Sequence, residues 1–175
     1  MTAILITAPE LAAYTDRWRS VSRSSARPQV PLTELIPPHV TVLVPWVAEP
    51  TDDDIARLQA AVSTVQSFEL SFPTAGQFPN GTAWLKPEPF DQVRALLLTV
   101  FKAFPECPPY GGDFPDPHPH LTISSSAQGG PAVVAEANAV LAATPAPTVQ
   151  LNELGLWREN AEGVWRQFGA VQLSA

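Results

Sequence analysis

Apolar residues along the chain change their spacing in a fixed order, and that order occurs twice. Alternating apolar positions are typical of strands, and apolar residues three or four positions apart are typical of helices. In the first half these patterns predict strand, helix, strand, helix and strand over residues 3–8, 10–22, 39–44, 51–65 and 68–72. The second half repeats this order over residues 83–85, 90–104, 120–124, 132–143 and 149–156, and a last strand follows over 164–173. The chain is therefore expected to be α+β.

Two short segments carry the repeat most clearly. They are Pro38-His-Val-Thr-Val42 and Pro119-His-Leu-Thr-Ile123, each on the predicted second strand of its half. Their histidines lie 81 positions apart, and the same shift pairs Ile4 with Leu85 and Leu70 with Leu151. A fixed offset that joins several places indicates duplication. We expect one domain over 1–175, built from two similar lobes of roughly 1–82 and 83–175.

Each motif places an imidazole beside a hydroxyl. Residues i and i+2 of a strand point to the same face, so His39 neighbours Thr41 and His120 neighbours Thr122. If the two halves pack about a pseudo-twofold axis, these four side chains line one cleft. The hydroxyls would then contact phosphate oxygens, while one histidine accepts a proton from the attacking oxygen and the other protonates the leaving oxygen. A substrate with its own 2′-hydroxyl or a 2′,3′-cyclic phosphate suits this chemistry, which needs no metal or other cofactor.

Charge and composition narrow the choice of partners. Ten basic and 17 acidic residues give a net charge of −7, so the chain lacks the basic face that a long nucleic acid requires. A small nucleotide or a short RNA end remains a suitable substrate, because a cleft needs only a few donors. The single Cys107 favours a reducing compartment, and the apolar run before Pro9 is too short for a signal peptide or membrane anchor. We expect a cytoplasmic monomer with no membrane partner.

A proline-rich stretch before the second motif is the candidate rim of the site. A loop of this length in a compact domain usually borders a binding site. Its aromatic residues Tyr110 and Phe114 are candidates to stack on a base, as are Trp46 and Phe78. Phe114 is preferred because it lies just ahead of His120. Each ring has core packing as its alternative role, since large apolar side chains are normally buried.

The third histidine leaves a metal site as an alternative. His118 and His120 can lie on one face of a strand, and paired histidines can bind zinc. No third ligand and no His-x-x-x-His helix accompany them in the sequence. The metal interpretation is therefore the weaker one, and we expect no bound cofactor.

With these residues the chain resembles the 2H phosphoesterase superfamily, in particular its branch of 2′-5′ RNA ligases and RNA 2′,3′-cyclic phosphodiesterases. The resemblance extends over essentially the whole chain, and segments 78–85 and 104–110 are further family-like traits. It implies two similar lobes, each an antiparallel sheet backed by helices, with the active site in the groove between them. The family's catalytic histidines correspond to His39 and His120, and its phosphate-binding hydroxyls to Thr41 and Thr122.

One position departs from the family pattern. Ligase-like members often carry an arginine shortly after the second motif, whereas here the strand continues Ile123-Ser-Ser-Ser126. Arg27 and Lys86 are candidates to replace that arginine, with a solvated surface charge as the alternative role of each. Two other functions stay open. One is a module that binds nucleotide or phosphate without turnover, and the other is a phosphodiesterase for a different cyclic phosphate, such as a sugar or ADP-ribose derivative.

Overall fold

The structure, a computed structural model, describes residues 1–26, 36–114, 116–125 and 129–175. Within these ranges the strands are β1 Thr2–Thr7, β2 His39–Leu43, β3 Phe68–Gln77, β4 Ala83–Glu88, β5 Leu121–Ser124, β6 Val149–Leu151, β7 Glu153–Glu159 and β8 Trp165–Gln172. The helices are α1 Ala12–Ala26, α2 Asp52–Val62, α3 Phe90–Ala103 and α4 Pro131–Ala143. Helices and strands follow one another in the predicted order, so the α+β class is confirmed.

Local capping interactions explain where the central helices begin. The Thr51 hydroxyl accepts the Asp54 N–H at 3.3 Å, and the Asp54 carboxylate accepts the Thr51 N–H at 3.0 Å. This reciprocal pair satisfies two backbone donors at the start of α2. At the start of α3 the Glu88 carboxylate accepts the Phe90 N–H at 2.8 Å. A carboxylate at this end also complements the helix dipole.

The strands form one curled antiparallel sheet of eight strands, in the order β6-β3-β4-β5-β2-β1-β7-β8. The two motif strands, β5 and β2, are neighbours at its centre. Outward from them the order is symmetrical, because β4 and β1 correspond under the 81-residue shift and so do β3 and the β6–β7 segment. The two predicted antiparallel sheets are therefore present but are joined edge to edge by the pairing of β2 with β5.

The two halves of the sequence exchange strands. β3 of the first half pairs with β4 of the second, with Gly76 opposite Trp84. β7 of the second half pairs with β1 of the first, with Ile4 opposite Leu156. The lobes of the sheet consequently do not coincide with residues 1–82 and 83–175, since each lobe contains a strand from the other half.

This exchange also divides one predicted strand. The sequence predicts a continuous strand over 149–156, but the segment separates at Asn152 into β6, which pairs with β3, and β7, which pairs with β1. The strand predicted over 68–72 extends to Gln77, with a shift of register between Ser71 and Thr74. Pro73 lies in this interval and has no N–H to donate to a neighbouring strand.

The helices cover one face of the sheet and leave the other to the motifs. Val40 and Leu121 are fully buried in the main hydrophobic core, together with residues of all four helices. Because side chains alternate along a strand, the motif residues on either side of Val40 and Leu121 project from the opposite face. In the described part of the chain, no helix has the length and apolar character needed to cross a bilayer.

Candidate active site

The pairing of the two motif strands brings both motifs together. β2 and β5 run antiparallel with Val40 opposite Leu121. The next positions in each direction place Thr41 across from His120 and His39 across from Thr122. In an antiparallel pair, directly opposed side chains have Cβ atoms about 4.5–5.5 Å apart, and diagonal neighbours, the relation of His39 to His120 in this register, are typically about 7–8 Å apart. The four groups therefore form a compact patch with a histidine at two opposite corners.

Both imidazoles are oriented in the same way by the backbone. Nδ1 of His39 lies 2.8 Å from the carbonyl oxygen of Pro37, and Nδ1 of His120 lies 2.7 Å from that of His118. A carbonyl oxygen can only accept, so Nδ1 carries the proton in each ring. In the neutral state Nε2 is then the nitrogen that accepts a proton. In both halves, the carbonyl group that fixes the tautomer belongs to the residue two positions before the histidine. The duplication thus includes this hydrogen bond.

His120 lies in an aromatic environment. The ring of Phe78 contacts it edge to face, with centroids 4.8 Å apart and an interplanar angle of 89°. Burial lowers the pKa of His120, the hydrogen bond to the His118 carbonyl raises it, and the charge of His118 lowers it again. The net direction is downward. This shift favours the unprotonated form of the His120 ring near neutral pH.

His118 lies in the aromatic wall behind the His120 ring. Its ring packs among those of Phe78, Trp84 and Phe90, with centroids 5.4, 5.0 and 5.2 Å away. Burial lowers the pKa of His118, as does the nearby Lys86, while Asp116 raises it. The ring centroids of His118 and His120 are 6.4 Å apart. Across the ranges that the structure describes, no group of three or more His, Cys, Asp or Glu side chains could hold a metal ion.

A cavity of about 520 Å³ opens beside Thr41 and His120. Its wall includes three of the aromatic residues singled out in the sequence, Phe78, Tyr110 and Phe114. Phe114 is 59% exposed, and its ring meets that of Tyr110 edge to face at 5.5 Å. The proline-rich loop thus forms a rim next to the motif patch, which is the position expected for residues that contact a substrate.

Tyr110 occupies an unusual backbone conformation in this rim. Its φ of 51° and ψ of 34° lie in the left-handed region, which costs a non-glycine residue about 1–2 kcal/mol. Its N–H donates to the carbonyl oxygen of Val44 at 2.6 Å, just beyond the end of β2. Burial raises the pKa of the Tyr110 phenol, and the neighbouring Thr41 hydroxyl opposes this rise. The loop is therefore attached through its backbone to the end of the first motif strand.

The structure does not place Trp46 at the site. Its side chain is only 3% exposed and packs edge to face on Phe104, with centroids 5.6 Å apart, in the main core. A ring buried in this way has no face available for a base, so Trp46 leaves the set of candidate substrate-binding residues. Trp46 instead has the other role considered for the aromatic residues, which is packing in the core.

Of the two residues considered as replacements for the missing arginine, the structure describes only Lys86. Arg27 lies outside the described residues. Lys86 lies on β4, where Leu85 is opposite Leu121, and is thus beside the second motif. Its ammonium group is 2.6 Å from the Glu88 carboxylate and 5.0 Å from the centroid of the Phe90 ring. Lys86 is therefore paired with Glu88, and its positive charge lies near His118, whose pKa it lowers.

Other residues of the site were not singled out from the sequence. Leu97 and Phe101 of α3 line the cavity, and Trp84 packs behind His118. On the sequence, the two α3 residues belong to the apolar stripe of an amphipathic helix, and such a stripe carries no mark of a cavity. Only the adjacency of α3 to β2 in three dimensions reveals their position.

Comparison with known proteins gives the same class of fold. The LigT protein of E. coli, complexed with 3′-AMP, matches with a TM-score of 0.63 and 18% identity, over 99% of this chain and 98% of that one. LigT complexed with NADP+ matches with a TM-score of 0.62 and 17% identity, over 99% and 97%. A protein of Thermus thermophilus, TT0787, matches with a TM-score of 0.51 and 17% identity, over 98% and 97%. No curated protein sequence matches the chain.

The fold and the paired motifs define a phosphoesterase of the two-histidine class. The sequence model of the 2′-5′ RNA ligase superfamily matches residues 7–163, which is most of the chain. The protein therefore belongs to the 2′-5′ RNA ligase superfamily, and membership supports an enzyme with a phosphoesterase-type activity.

Proposed function

We propose that the protein is a metal-independent phosphodiesterase that opens 2′,3′-cyclic phosphates or cleaves 2′-5′ linked nucleotides at RNA ends. The observation that carries this proposal is the register of β2 and β5, with Val40 opposite Leu121. It supports a single phosphate held by two hydroxyls and flanked by two histidines. Nδ1 of each histidine donates to a backbone carbonyl oxygen, so Nε2 of each ring is the nitrogen that exchanges protons.

The reaction follows from these groups. For a cyclic phosphate, a water oxygen attacks phosphorus and gives its proton to Nε2 of one histidine. The bond from phosphorus to one ribose oxygen breaks, and that oxygen takes a proton from Nε2 of the other histidine. Thr41 and Thr122 donate to the non-bridging oxygens, where negative charge accumulates. The lowered pKa of His120 favours it as the proton acceptor at neutral pH.

The cavity supports a nucleotide as substrate. Aromatic side chains bind the faces of nucleobases, and Phe78, Tyr110 and Phe114 all border the cavity next to Thr41. A sugar phosphate without a base would leave this apolar surface unused. LigT, which shares the fold, has been crystallised with 3′-AMP and with NADP+, both of which carry adenine. The net charge of −7 further favours a short substrate over a long nucleic acid.

The test is turnover of 2′,3′-cyclic AMP and of a 2′-5′ linked dinucleotide in the presence of EDTA. His39→Ala and His120→Ala should each lower kcat by about 10²–10⁴-fold, the usual contribution of general acid–base catalysis, without changing the circular dichroism spectrum. His118→Asn is the matched control, since it removes the third histidine and should retain far more activity.

Each alternative has its own result. Full activity in the His39 or His120 variant would refute the proposed mechanism. Loss of activity with EDTA, together with an inactive His118→Asn variant, would indicate a metal site at His118 and His120. Tight nucleotide binding without any product in phosphorus NMR spectra would identify a binding module. Turnover of cyclic sugar phosphates in preference to cyclic nucleotides would identify a different substrate.

A further inference from the structure

We propose that Phe78 is a positioning residue that holds the His120 ring in the orientation needed for proton transfer. The inference rests on the proposed function and gives Phe78 a role other than stacking on a base. Phe78 directly follows β3 and borders the cavity, where its ring meets that of His120 edge to face. Phe78 would therefore act through His120 and not on the reacting atoms.

Two contacts restrain the His120 ring. Its Nδ1 donates to the His118 carbonyl oxygen at 2.7 Å, which holds one nitrogen but still lets the ring pivot about that hydrogen bond. The Phe78 ring lies 4.8 Å away, centroid to centroid, at an interplanar angle of 89°. A perpendicular contact of this kind is a favoured packing of two rings, and it blocks rotation toward Phe78. Together the two contacts restrict the direction in which Nε2 points.

The Phe78 ring is itself fixed by its surroundings. Its N–H donates to the Thr82 carbonyl oxygen at 3.0 Å, and its carbonyl oxygen accepts the Gly81 N–H at 2.8 Å, which closes the turn between β3 and β4. The ring also packs on Trp84 at 5.6 Å and on His118 at 5.4 Å. A side chain can orient a functional group only when its own position is fixed by packing and hydrogen bonds. Phe78 meets this condition.

The residues of the aromatic wall have no aromatic counterparts in the duplication. The wall behind His120 consists of Phe78, Trp84, Phe90 and His118. Under the 81-residue shift the equivalent positions are occupied by Glu159, Ala3, Pro9 and Pro37. The hydrogen bond from Nδ1 is common to both histidines, whereas this ring support is not repeated. Replacement of Phe78 should therefore act on His120 and not on His39.

The charged groups around His120 stay in place when Phe78 is replaced. They come from β2, from the loop before β5, from β4 and from α3, and they are His39, His118 and Tyr110, the Lys86–Glu88 pair and the Arg94–Asp116 pair. Phe78→Leu changes none of them but uncovers part of the His120 ring. Because burial lowers the pKa of His120, that pKa should be higher in the variant.

The experiment compares turnover of 2′,3′-cyclic AMP with turnover of the cyclic phosphate of methyl riboside, which has no base. Phe78→Leu should lower kcat by about tenfold or more on both substrates, with little change in KM, because a misplaced catalytic group slows the reaction of either. A ring that only stacks on the base would instead affect 2′,3′-cyclic AMP alone. Phe78→Tyr keeps the ring and should retain most of the activity. Phe168→Leu, the same substitution at an exposed ring on β8, is the matched control and should behave as the wild type.

NMR of the histidine side chains measures positioning without turnover. Three-bond couplings to the β protons report the rotamer, and titration reports the pKa of each ring. His120 should occupy one rotamer in the wild type and several in Phe78→Leu, with a higher pKa, while His39 stays the same in both. His118→Asn assigns the signals of the third ring.

Unchanged kcat, a decrease confined to 2′,3′-cyclic AMP, or unchanged couplings of His120 would each overturn the positioning role. A wild-type His120 ring that already averages over several rotamers would do so without any variant. If the wild type converts neither substrate but the couplings of His120 depend on Phe78, the positioning role stands and the proposed function fails. If the wild type turns over both substrates and the couplings do not depend on Phe78, only the positioning role fails. A wild type without turnover, together with unchanged couplings, would overturn both.

Discussion

Replacement of Gly76 by alanine tests how the sheet supports the site. A Cβ atom at Gly76 would lie less than 3.0 Å from three carbons of the Trp84 six-membered ring. Carbon atoms in contact are normally about 3.5–4.0 Å apart, so the ring must move by roughly 1 Å. Trp84 packs on Phe78 at 5.6 Å and on His118 at 5.0 Å, and Phe78 in turn contacts His120. The displacement would therefore be transmitted to the ring of His120.

Overpacking of this kind costs about 1–3 kcal/mol, and for a chain of this size about 2 kcal/mol lowers Tm by roughly 4–8 °C. Activity should fall by about tenfold or more, because small misplacements of catalytic groups are costly. Differential scanning calorimetry measures Tm, and turnover of 2′,3′-cyclic AMP measures the effect on the site.

Gly169→Ala is the matched control. Gly169 lies on β8 at the edge of the sheet, and a Cβ atom there would be 3.4 Å from a terminal methyl of Leu156, an ordinary contact distance. Its effect on stability should stay within about 1 kcal/mol. Trp84→Phe shortens the ring, so Gly76→Ala should cost little in that background. A Gly76→Ala protein with unchanged Tm and unchanged turnover would refute the argument.

Three further predictions concern titration, backbone strain and folding. Burial lowers the pKa of both His118 and His120, so the unfolded chain takes up protons before the folded one as pH falls. Stability should therefore decrease from about pH 7.5 to 5.5, and Tm should fall less over this interval in His118→Asn than in the wild type. Tyr110→Gly should be more stable than Tyr110→Ala by about 1 kcal/mol in urea denaturation, because both lack the ring and only alanine is strained at positive φ. A fragment of residues 1–82 should show no cooperative thermal transition by circular dichroism, since β3 would lack β4 and β1 would lack β7.

The sequence predicts most of the helices and strands but says little about which strands pair with one another. Alternation of apolar residues identifies β2 and β5, and helical spacing identifies the four helices, because these signals are local. Strand pairing is not local. The segment 149–156 reads as one strand in the sequence, and only the exchange between lobes explains why it divides at Asn152. Pairing is decided by packing between residues that are far apart along the chain.

The same distinction applies to the candidate site. The His-x-Thr spacing determines which face of each strand carries the chemistry, so His39 and His120 could be identified without coordinates. The aromatic residues could not be separated in this way. Trp46 and Phe114 are both large rings near a motif, yet one packs on Phe104 in the core and the other is 59% exposed at the rim. Burial depends on the tertiary fold, which single residues do not reveal.

The exchange of strands between the two halves of the chain helps to hold the two motifs together. If each half folded as a separate lobe, only the contact of β2 with β5 would hold the two His–Thr pairs together. Because β3 and β7 each lie in the lobe opposite to the strand that precedes them, the chain crosses between the lobes twice, through α2 and at Asn152. The main core likewise includes residues from both halves, such as Val40 and Leu121, in one continuous cluster. The distance between the two histidines is therefore fixed by the whole sheet and not by a hinge between lobes.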